Sequence, residues 1–580
     1  MELTEDQKHL VEDLSGSAFV IACPGAGKTR AVVARYLRRT EQEPRKGIAL
    51  VSFTNAAIDE VRRRCGDQEP TKAPHFVGTF DSFIHRFLVA PLYRAIYDVS
   101  PRLIQSWKDT KASKFRLAVN LRIPDVELSW FDFDIDGRAT LRIDRVPTRA
   151  GQQLIGLLQG SRRGEAETRA SGIYRALLQA GTVSCDASRF LASAWLADPR
   201  TRALIQPLIT DRFTEVIVDE AQDCGDEELT ILQFLRDCGV DILLVGDLDQ
   251  SIYEFRRAVP ERVAAFAATL PNRLALVDNF RSSPAICAMN SALRVGAVPD
   301  LARGPYAQSK VPVQVISYNR TQSIAADVLA TAEKHGLMAD ETIIVSHGTA
   351  DVLRAAGVKA SDAVGTNRVA AIVDAGYKLR SSSDGKSRVA ALERVERDLV
   401  EAAVGGSLDH KSLEAVCEEH SIERRWLRDA TMRLCQALDP HGMTAAQFSA
   451  AVRARVTGLD WPPHLTVSSS LFRAPAAGKW SELLKSEVSA VLPFSTIHGA
   501  KGLEFPAVAL VLSDRLRKDD TTQRTVLDDW EQGYGTEARR VLYVGASRAQ
   551  QLLMLVVPAA HRERVCRLLA RDAVPFIETP

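Results

Sequence analysis

With 580 residues, 46% hydrophobic and 25% charged, the chain has the composition of a globular protein, long enough at roughly 150 residues per domain for about four folding units. A net charge of +1 excludes an overall basic coat, so any affinity for nucleic acid must be concentrated in a groove. Nine cysteines, odd in number and never at C-x-x-C spacing, argue against a disulfide framework or a zinc site and for a reducing compartment. The opening residues lack the basic-then-apolar profile of a secretory leader, and no apolar run approaches the roughly 18 residues that span a bilayer; a cytoplasmic location without membrane contact is expected.

The first element is an apolar run at 18–21, short enough for a buried strand. It leads into Ala22-Cys23-Pro24-Gly25-Ala26-Gly27-Lys28-Thr29, which opens an amphipathic helix from Arg30 onward. Strand, glycine turn and helix N-terminus in that order make a phosphate-gripping loop. Gly25 and Gly27 let backbone N–H groups converge on phosphate oxygens, Lys28 reaches the outer phosphates, and the Thr29 hydroxyl ligates Mg2+. The loop predicts binding of ATP or GTP. Its Ala22 departs from the glycine of the general pattern.

Further short apolar runs, at 47–51, 215–218, 242–245, 274–277, 342–345, 507–512 and 551–557, read as strands buried on both faces. Helical patterns between them predict parallel α/β units, in two groups and therefore two cores. Two segments with helical periodicity interrupt the series, 90–205 and 350–493; within the second, 388–402 and 413–438 are the clearest helices. Residues 381–386 are the best candidate for a flexible loop.

The strand at 215–218 runs directly into Asp219-Glu220-Ala221-Gln222-Asp223. Open α/β sheets bind ligands beyond the carboxyl ends of their strands, so Asp219 is a candidate for holding Mg2+ and Glu220 for activating the attacking water. Phosphoryl transfer also needs the developing charge neutralised, for which Arg281, in Asp278-Asn279-Phe280-Arg281-Ser282, and Arg548, in Gly545-Ala546-Ser547-Arg548-Ala549, are candidates.

Read in order, these segments resemble the motif series of the superfamily 1A helicases, the UvrD/Rep/PcrA group. Leu3-Thr4-Glu5-Asp6-Gln7 resembles the Q motif. The loop, Val51-Ser52-Phe53-Thr54-Asn55-Ala56-Ala57, Val77-Gly78-Thr79-Phe80-Asp81-Ser82-Phe83, the acidic segment and Gly246-Asp247-Leu248-Asp249-Gln250-Ser251-Ile252-Tyr253 follow. Asn279-Phe280-Arg281-Ser282, Ser495-Thr496-Ile497-His498-Gly499-Ala500-Lys501-Gly502-Leu503-Glu504-Phe505 and the segment ending Arg548-Ala549 complete it. In this branch alanine is ordinary at position 22.

The resemblance implies an α/β fold of two RecA-like P-loop domains with parallel sheets, each carrying a mainly helical insertion. Domain 1A would be 1–89 and 206–275, insertion 1B 90–205, domain 2A 276–349 and 494–580, and insertion 2B 350–493. It implies ATP and Mg2+ as cofactors. Gln7 would read adenine, Phe280 would stack on it, and Glu504 would bond the ribose. The loop residues Ala22 to Arg30 would surround the phosphates, while Lys28, Thr29, Asp219, Glu220, Gln250, Arg281 and Arg548 would carry the hydrolysis. Thr54, Asn55, Thr79, Phe80, Tyr253, Phe255 and His498 fall where the family lines its DNA groove or couples it to ATP, although Phe80 or Phe255 alone reads more readily as a core residue. Asp81 replaces a common histidine, Phe255 a tryptophan and Arg257 a glycine.

The resemblance implies an ATP-dependent helicase that moves 3′ to 5′ on single-stranded DNA and unwinds tailed duplex, in repair or anti-phage defence. The alternative is a nucleotide-controlled DNA-end sensor with little unwinding of its own. It is suggested by the unusual second insertion and by a likeness to Gabija-type defence helicases, which work beside a separate nuclease subunit.

Overall fold

The structure, a computed structural model, describes residues 3–53, 55–65, 72–117, 125–147, 152–252, 260–296, 298–319, 324–357, 367–381, 385–405, 413–487, 492–513 and 523–579. The chain divides into two compact units, Met1–Cys23 with Gly27–Leu276, and Pro24–Ala26 with Val277–Pro580.

In the first unit, β1 (Ala18–Ala22), β2 (Gly47–Ser52), β3 (Phe76–Thr79), β4 (Phe213–Asp219), β5 (Asp241–Gly246) and β6 (Asn272–Leu276) form one sheet in the order β6-β1-β5-β4-β2-β3. Every pairing is parallel. Five of these strands are the runs expected from the sequence. They were legible because a parallel sheet covered on both faces needs apolar side chains on both, and β2 is buried at every residue. The edge strand β3 alternates buried and half-buried residues, so it has no continuous apolar run to betray it.

The second unit repeats the architecture. Its strands β7 (Val313–Tyr318), β8 (Thr342–Ser346), β9 (Phe494–Thr496), β10 (Phe505–Val511), β11 (Ala549–Pro558) and β12 (Phe576–Thr579) are all parallel, in the order β9-β8-β10-β11-β7-β12. Each unit is thus an α/β body on a six-stranded parallel sheet, the architecture of a RecA-like domain.

The two interrupting segments differ from each other. In the first, helices such as Arg163–Gln179 and Cys185–Ala197 are preceded by a stretch of short strands and 3-10 turns. Arg102–Ile104 pairs with Thr182–Ser184, Lys114–Phe115 with Val126–Glu127, and Phe131–Phe133 with Ala139–Leu141. The expectation of helical dominance fails here for a local reason. Gly137 at φ +72° and Asp134, whose side chain accepts the Arg138 N–H, close a tight hairpin turn, and the flanking aromatic residues favour strands. One apolar cluster runs from Phe19 and Val51 of the sheet to Trp107 and Tyr174, so this segment shares the core of the first unit.

Among its described residues the regular elements of the second segment are all helices, and it has its own core, built around Val395, Leu427, Leu434, Phe448 and Phe472. The pattern at 413–438 is two helices, Leu413–Glu419 and Arg424–Ala437, separated at Ser421, whose φ of +52° breaks the helical path. Of the loop expected at 381–386, Ser381 ends one helix and Gly385 begins the next, while 382–384 lie outside the described residues.

This helical body buries carboxylates. Glu396 is fully enclosed and held by Arg424 and Arg428. Asp398 fares worse: Arg368 Nε lies 3.4 Å from one oxygen, but the other oxygen, Oδ2, has no hydrogen-bond partner. Burial draws its carboxyl up to about 6, against the opposing pull of Arg368. A raised carboxyl pKa means that the folded state holds the proton longer than the unfolded one, so stability falls as pH rises from about 4 to about 6. Asp398→Asn is expected to remove that slope and to stabilise the protein above pH 6 by on the order of 1 kcal/mol, measured by urea unfolding across the range. An unchanged pH slope in the variant would contradict the assignment.

Candidate functional site

β1 ends at Ala22, fully buried, and the chain turns through Cys23, Pro24, Gly25, Ala26 and Gly27 into the helix Lys28–Gln42. Gly25 and Gly27 have φ of +73° and +70°, the left-handed conformation in which backbone N–H groups form a nest for an anion. The N-cap of this helix is Gly27, which has no side chain to cap it, so the helix N-terminus opens directly from the loop. Cys23 donates its N–H to Leu276 O at 3.0 Å, tying the loop's entry to β6. A Cβ at Gly27 would stand 3.0 Å from Gln7 Nε2, so the expected adenine reader lies against the loop; Gln7 is held there by Thr4, whose N–H it accepts at 3.1 Å. A Cβ at Gly25 would come 2.7 Å from Asn279 Oδ1. The helix is locked to the sheet by Arg35, whose Nε and Nη2 both lie 2.8 Å from the buried Glu215 of β4.

Asp219 is the last residue of β4 and only 1% exposed. Glu220 follows at φ +56°, a conformation costly for a residue with a Cβ, and its N–H donates to Asp219 Oδ1 at 3.0 Å. Its carboxylate accepts a bond from Gln222 Nε2 at 2.6 Å and stands 3.5 Å from Lys28 Nζ. Gln222 Oε1 accepts the Asp247 N–H at 3.1 Å, and Asp247 accepts Gln250 Nε2 at 2.9 Å. Lys28, Asp219, Glu220 and Gln250 are therefore brought to one sheet edge by a chain whose links, Gln222 and Asp247, had no role in the sequence reading. Their signal was there, as polar residues placed at the ends of buried strands; Gln222 is fully buried and Asp247 1% exposed. Burial first, and the Glu220 charge second, raise the Asp219 carboxyl to about 7, with Lys28 pulling the other way. A carboxylate so starved of countercharge suits a divalent cation.

In the second unit, the buried Asn279 accepts the N–H groups of Arg281 and Ser282 at 2.9 Å each, which fixes the turn that carries Phe280. A Cβ at Gly304 would lie 2.0 Å from Phe280 O, so only glycine lets the chain pass behind that residue. Arg281 bonds Glu504 at 2.6 Å and Ser547 O at 3.0 Å. Arg548, 2% exposed, donates to Val544 O at 3.0 Å and Ser547 Oγ at 2.8 Å. Both candidate arginines thus converge on Ser547, and Glu504, expected at the ribose, is the ion-pair partner of Arg281.

Residues 7–256 match the family model described as an AAA domain, and residues 479–559 match that of the UvrD-like helicase C-terminal domain. The chain belongs to the UvrD-like helicases of superfamily 1A. It is 27% identical over 309 residues to DNA helicase II of Salmonella typhimurium, covering 50% of this chain and 40% of that protein. It is 26% identical over 297 residues to the ATP-dependent DNA helicase Rep of Escherichia coli, covering 49% and 42%. The ATP-dependent DNA helicase srs2 of Schizosaccharomyces pombe is 26% identical over 278 residues, 44% of this chain and 30% of that protein. The chain spans about two-fifths of the length of the bacterial relatives it matches.

Of the residues expected at DNA in this helicase family, Thr54, Tyr253 and Phe255 lie outside the described residues, and Asn55 is described only as the first residue of the helix Asn55–Cys65. Thr79 caps the helix Phe80–Ile84, accepting the Ser82 N–H at 3.2 Å. Phe80 requires a correction. It is 2% exposed and stacked on Phe53 with ring centroids 5.6 Å apart, so it fills the core and offers no face to a base. His498 sits in the turn Ile497–Ala500 after β9, its ring 5.5 Å from that of His347.

Asp81, the departure beside Phe80, accepts a bond from Arg189 at 2.5 Å. Arg189 also pairs with Asp186 and lies 3.4 Å from Glu228, which caps the helix Asp226–Asp237 through the Gly225 N–H. One guanidinium thereby joins the Thr79–Asp81 turn to the helix that follows the acidic segment. Arg189→Ala would leave Glu228, 5% exposed, and Asp81 without their cation and is expected to cost about 3 kcal/mol in urea unfolding; a loss below about 0.5 kcal/mol, the scale of an ordinary surface change, would show the network to be idle.

Proposed function

We propose that the chain is an ATP-dependent DNA translocase and helicase that acts in repair and moves 3′ to 5′ on single-stranded DNA. The observation that carries this reading is the continuous hydrogen-bonded edge Glu220–Gln222–Asp247–Gln250 beside Lys28 and the glycine loop, which supplies a phosphate cradle, a buried cation ligand and a base together. The similarity to DNA helicase II and Rep supports DNA as the substrate.

In this reading Gly25, Gly27, Lys28 and Arg30 bind the triphosphate, and Gln7, Phe280 and Glu504 bind the nucleoside. Among the described residues no three His, Cys, Asp or Glu side chains cluster as a complete metal site. Thr29 and Asp219 would hold Mg2+, which when bound would offset charge on the phosphates. Glu220, its backbone strained and its carboxylate steered by Gln222, orients and deprotonates the attacking water; Gln250 senses the outer phosphate. Arg281 and Arg548 neutralise the charge that develops on transfer. Their engagement and release in each cycle is the mechanical step.

Lys28→Ala is expected to abolish ATP hydrolysis stimulated by single-stranded DNA, while Arg548→Ala lowers turnover by about 10²-fold or more and leaves nucleotide binding within a few-fold. Stimulated turnover retained in the lysine variant would overturn the assignment.

A second reading, a DNA-end sensor beside a separate nuclease subunit, draws on the inward-facing Phe80, which withdraws one expected stacking platform. Strand displacement on 3′-tailed and 5′-tailed duplexes decides between them. Unwinding of the 3′-tailed substrate by the purified chain is expected; stimulated hydrolysis with no displacement would favour the sensor, and displacement from the 5′ tail alone would reverse the polarity.

A further inference from the structure

The nucleotide chemistry sits at the C-terminal ends of β1, β4 and β5. The opposite end of the same sheet carries a feature that this chemistry does not use. Arg45 lies just before β2 and Arg212 just before β4, and together with Arg86 and Phe87, from the turn His85–Val89, they line one concavity. The Arg212 guanidinium lies 4.8 Å from the Phe87 ring centroid and 5.4 Å from that of Phe213, and Arg86 stands 5.4 Å from the same Phe87 ring.

Arg86 and Arg212 repel one another, and against the three guanidiniums the lining sets a single carboxylate, Asp211, so the concavity keeps a net positive charge. Among the described residues none of the three has an ion-pair partner, and Arg212 Nε is buried with no hydrogen-bond acceptor. Two enclosed arginines elsewhere are paired with acids, Arg35 with Glu215 and Arg294 with Asp300. Burial first, and the Arg86 charge second, pull Arg212 below the ordinary guanidinium range. An anion in the concavity would offset the repulsion between Arg86 and the half-buried Arg212.

The walls between these charges are apolar. Pro91 and Leu208 line the concavity, and Leu208 is 51% exposed; Leu204, one turn earlier on the same face of the helix Pro199–Thr210, is 63% exposed. A nucleic acid would want an open aromatic face for its bases, but Phe87 is 8% exposed with guanidiniums over its ring. Carboxylates interleaved with apolar side chains fit better, since clustered arginines recognise acidic motifs and exposed leucines anchor apolar ones.

We propose that this face of the first unit docks an acidic peptide segment of a partner protein, its carboxylates on Arg45, Arg86 and Arg212 and an apolar side chain on Leu208 and Pro91.

The test is selection of displayed seven-residue peptides on the full chain, followed by fluorescence anisotropy with the enriched peptide. Enrichment of sequences with Asp or Glu on both sides of a Leu or Phe is expected. Arg86→Glu with Arg45→Glu, both at exposed sites, should weaken the peptide at least about tenfold, and a peptide with Lys in place of its acids should regain affinity for that variant. Arg212→Met, which removes the unpaired charge but keeps the packing, should weaken the peptide comparably and leave the thermal midpoint within a few degrees. ATP hydrolysis stimulated by single-stranded DNA should be unchanged in both variants. Enrichment of peptides without acids, affinity indifferent to the substitutions, or displacement of the peptide by a single-stranded oligonucleotide would each overturn the proposal.

Discussion

Each unit is organised by one constraint: a parallel sheet covered on both faces admits almost no polar side chain along its strands. Polar chemistry is therefore pushed to the strand ends, where the chain leaves the apolar interior. Asp219, Gly246 with Asp247, and the Ala22–Gly27 turn all occur where a buried strand of the first sheet stops. Because β1, β5 and β4 are successive neighbours in that sheet, three separate segments deliver their polar residues to one edge. The site follows from the burial of its supports.

The exceptions to that rule are held by strong pairing. Glu215 is a carboxylate inside β4, tolerated because Arg35 and Arg39 both reach it at 2.8 Å. A buried pair of this kind contributes little net stability, but breaking it is costly, so it fixes the register of the helix Lys28–Gln42 against the strand that ends in Asp219. The left-handed Glu220 stores strain at the place where a base must be aimed, and Gln222 sets the aim. The Asp81–Arg189–Glu228 cluster has the same character, a charge network that positions helices around the site more than it stabilises them.

Much of this was legible in residue order. Strands such as 215–218 and 342–345 were readable because continuous apolar runs have no other stable home in a chain of this composition, and the residues that follow them carry the candidate chemistry. Strands β3, β9 and β12 are short edge strands with polar or half-buried residues, so their apolar signal falls below what a run can reveal. The stretch from Arg102 to Leu141 misled because its aromatic residues satisfy helical spacing and strand alternation almost equally over three or four positions; the Gly137 turn decided for strands. Phe80 misled in another way. Its place in a motif pointed to DNA, while it stacks on Phe53 within the core of the first unit.

By itself the sequence determined the local rules: a glycine loop between strand and helix, an acidic pair at a strand end, apolar runs that must be buried, and the order of motifs that marks a UvrD-like helicase. These are properties of residues within a few positions of one another, where backbone conformation and burial act directly. Only the tertiary structure decided which side chains meet. Gln222 with Asp247, Arg35 with Glu215, Arg281 with Glu504 and Ser547, and the unpaired Arg212 beside Arg86 join residues that the sheet order brings together across up to some hundreds of positions. The reason is physical: electrostatic pairing and desolvation depend on distance and enclosure in space, and neither quantity is written in the spacing of residues along the chain.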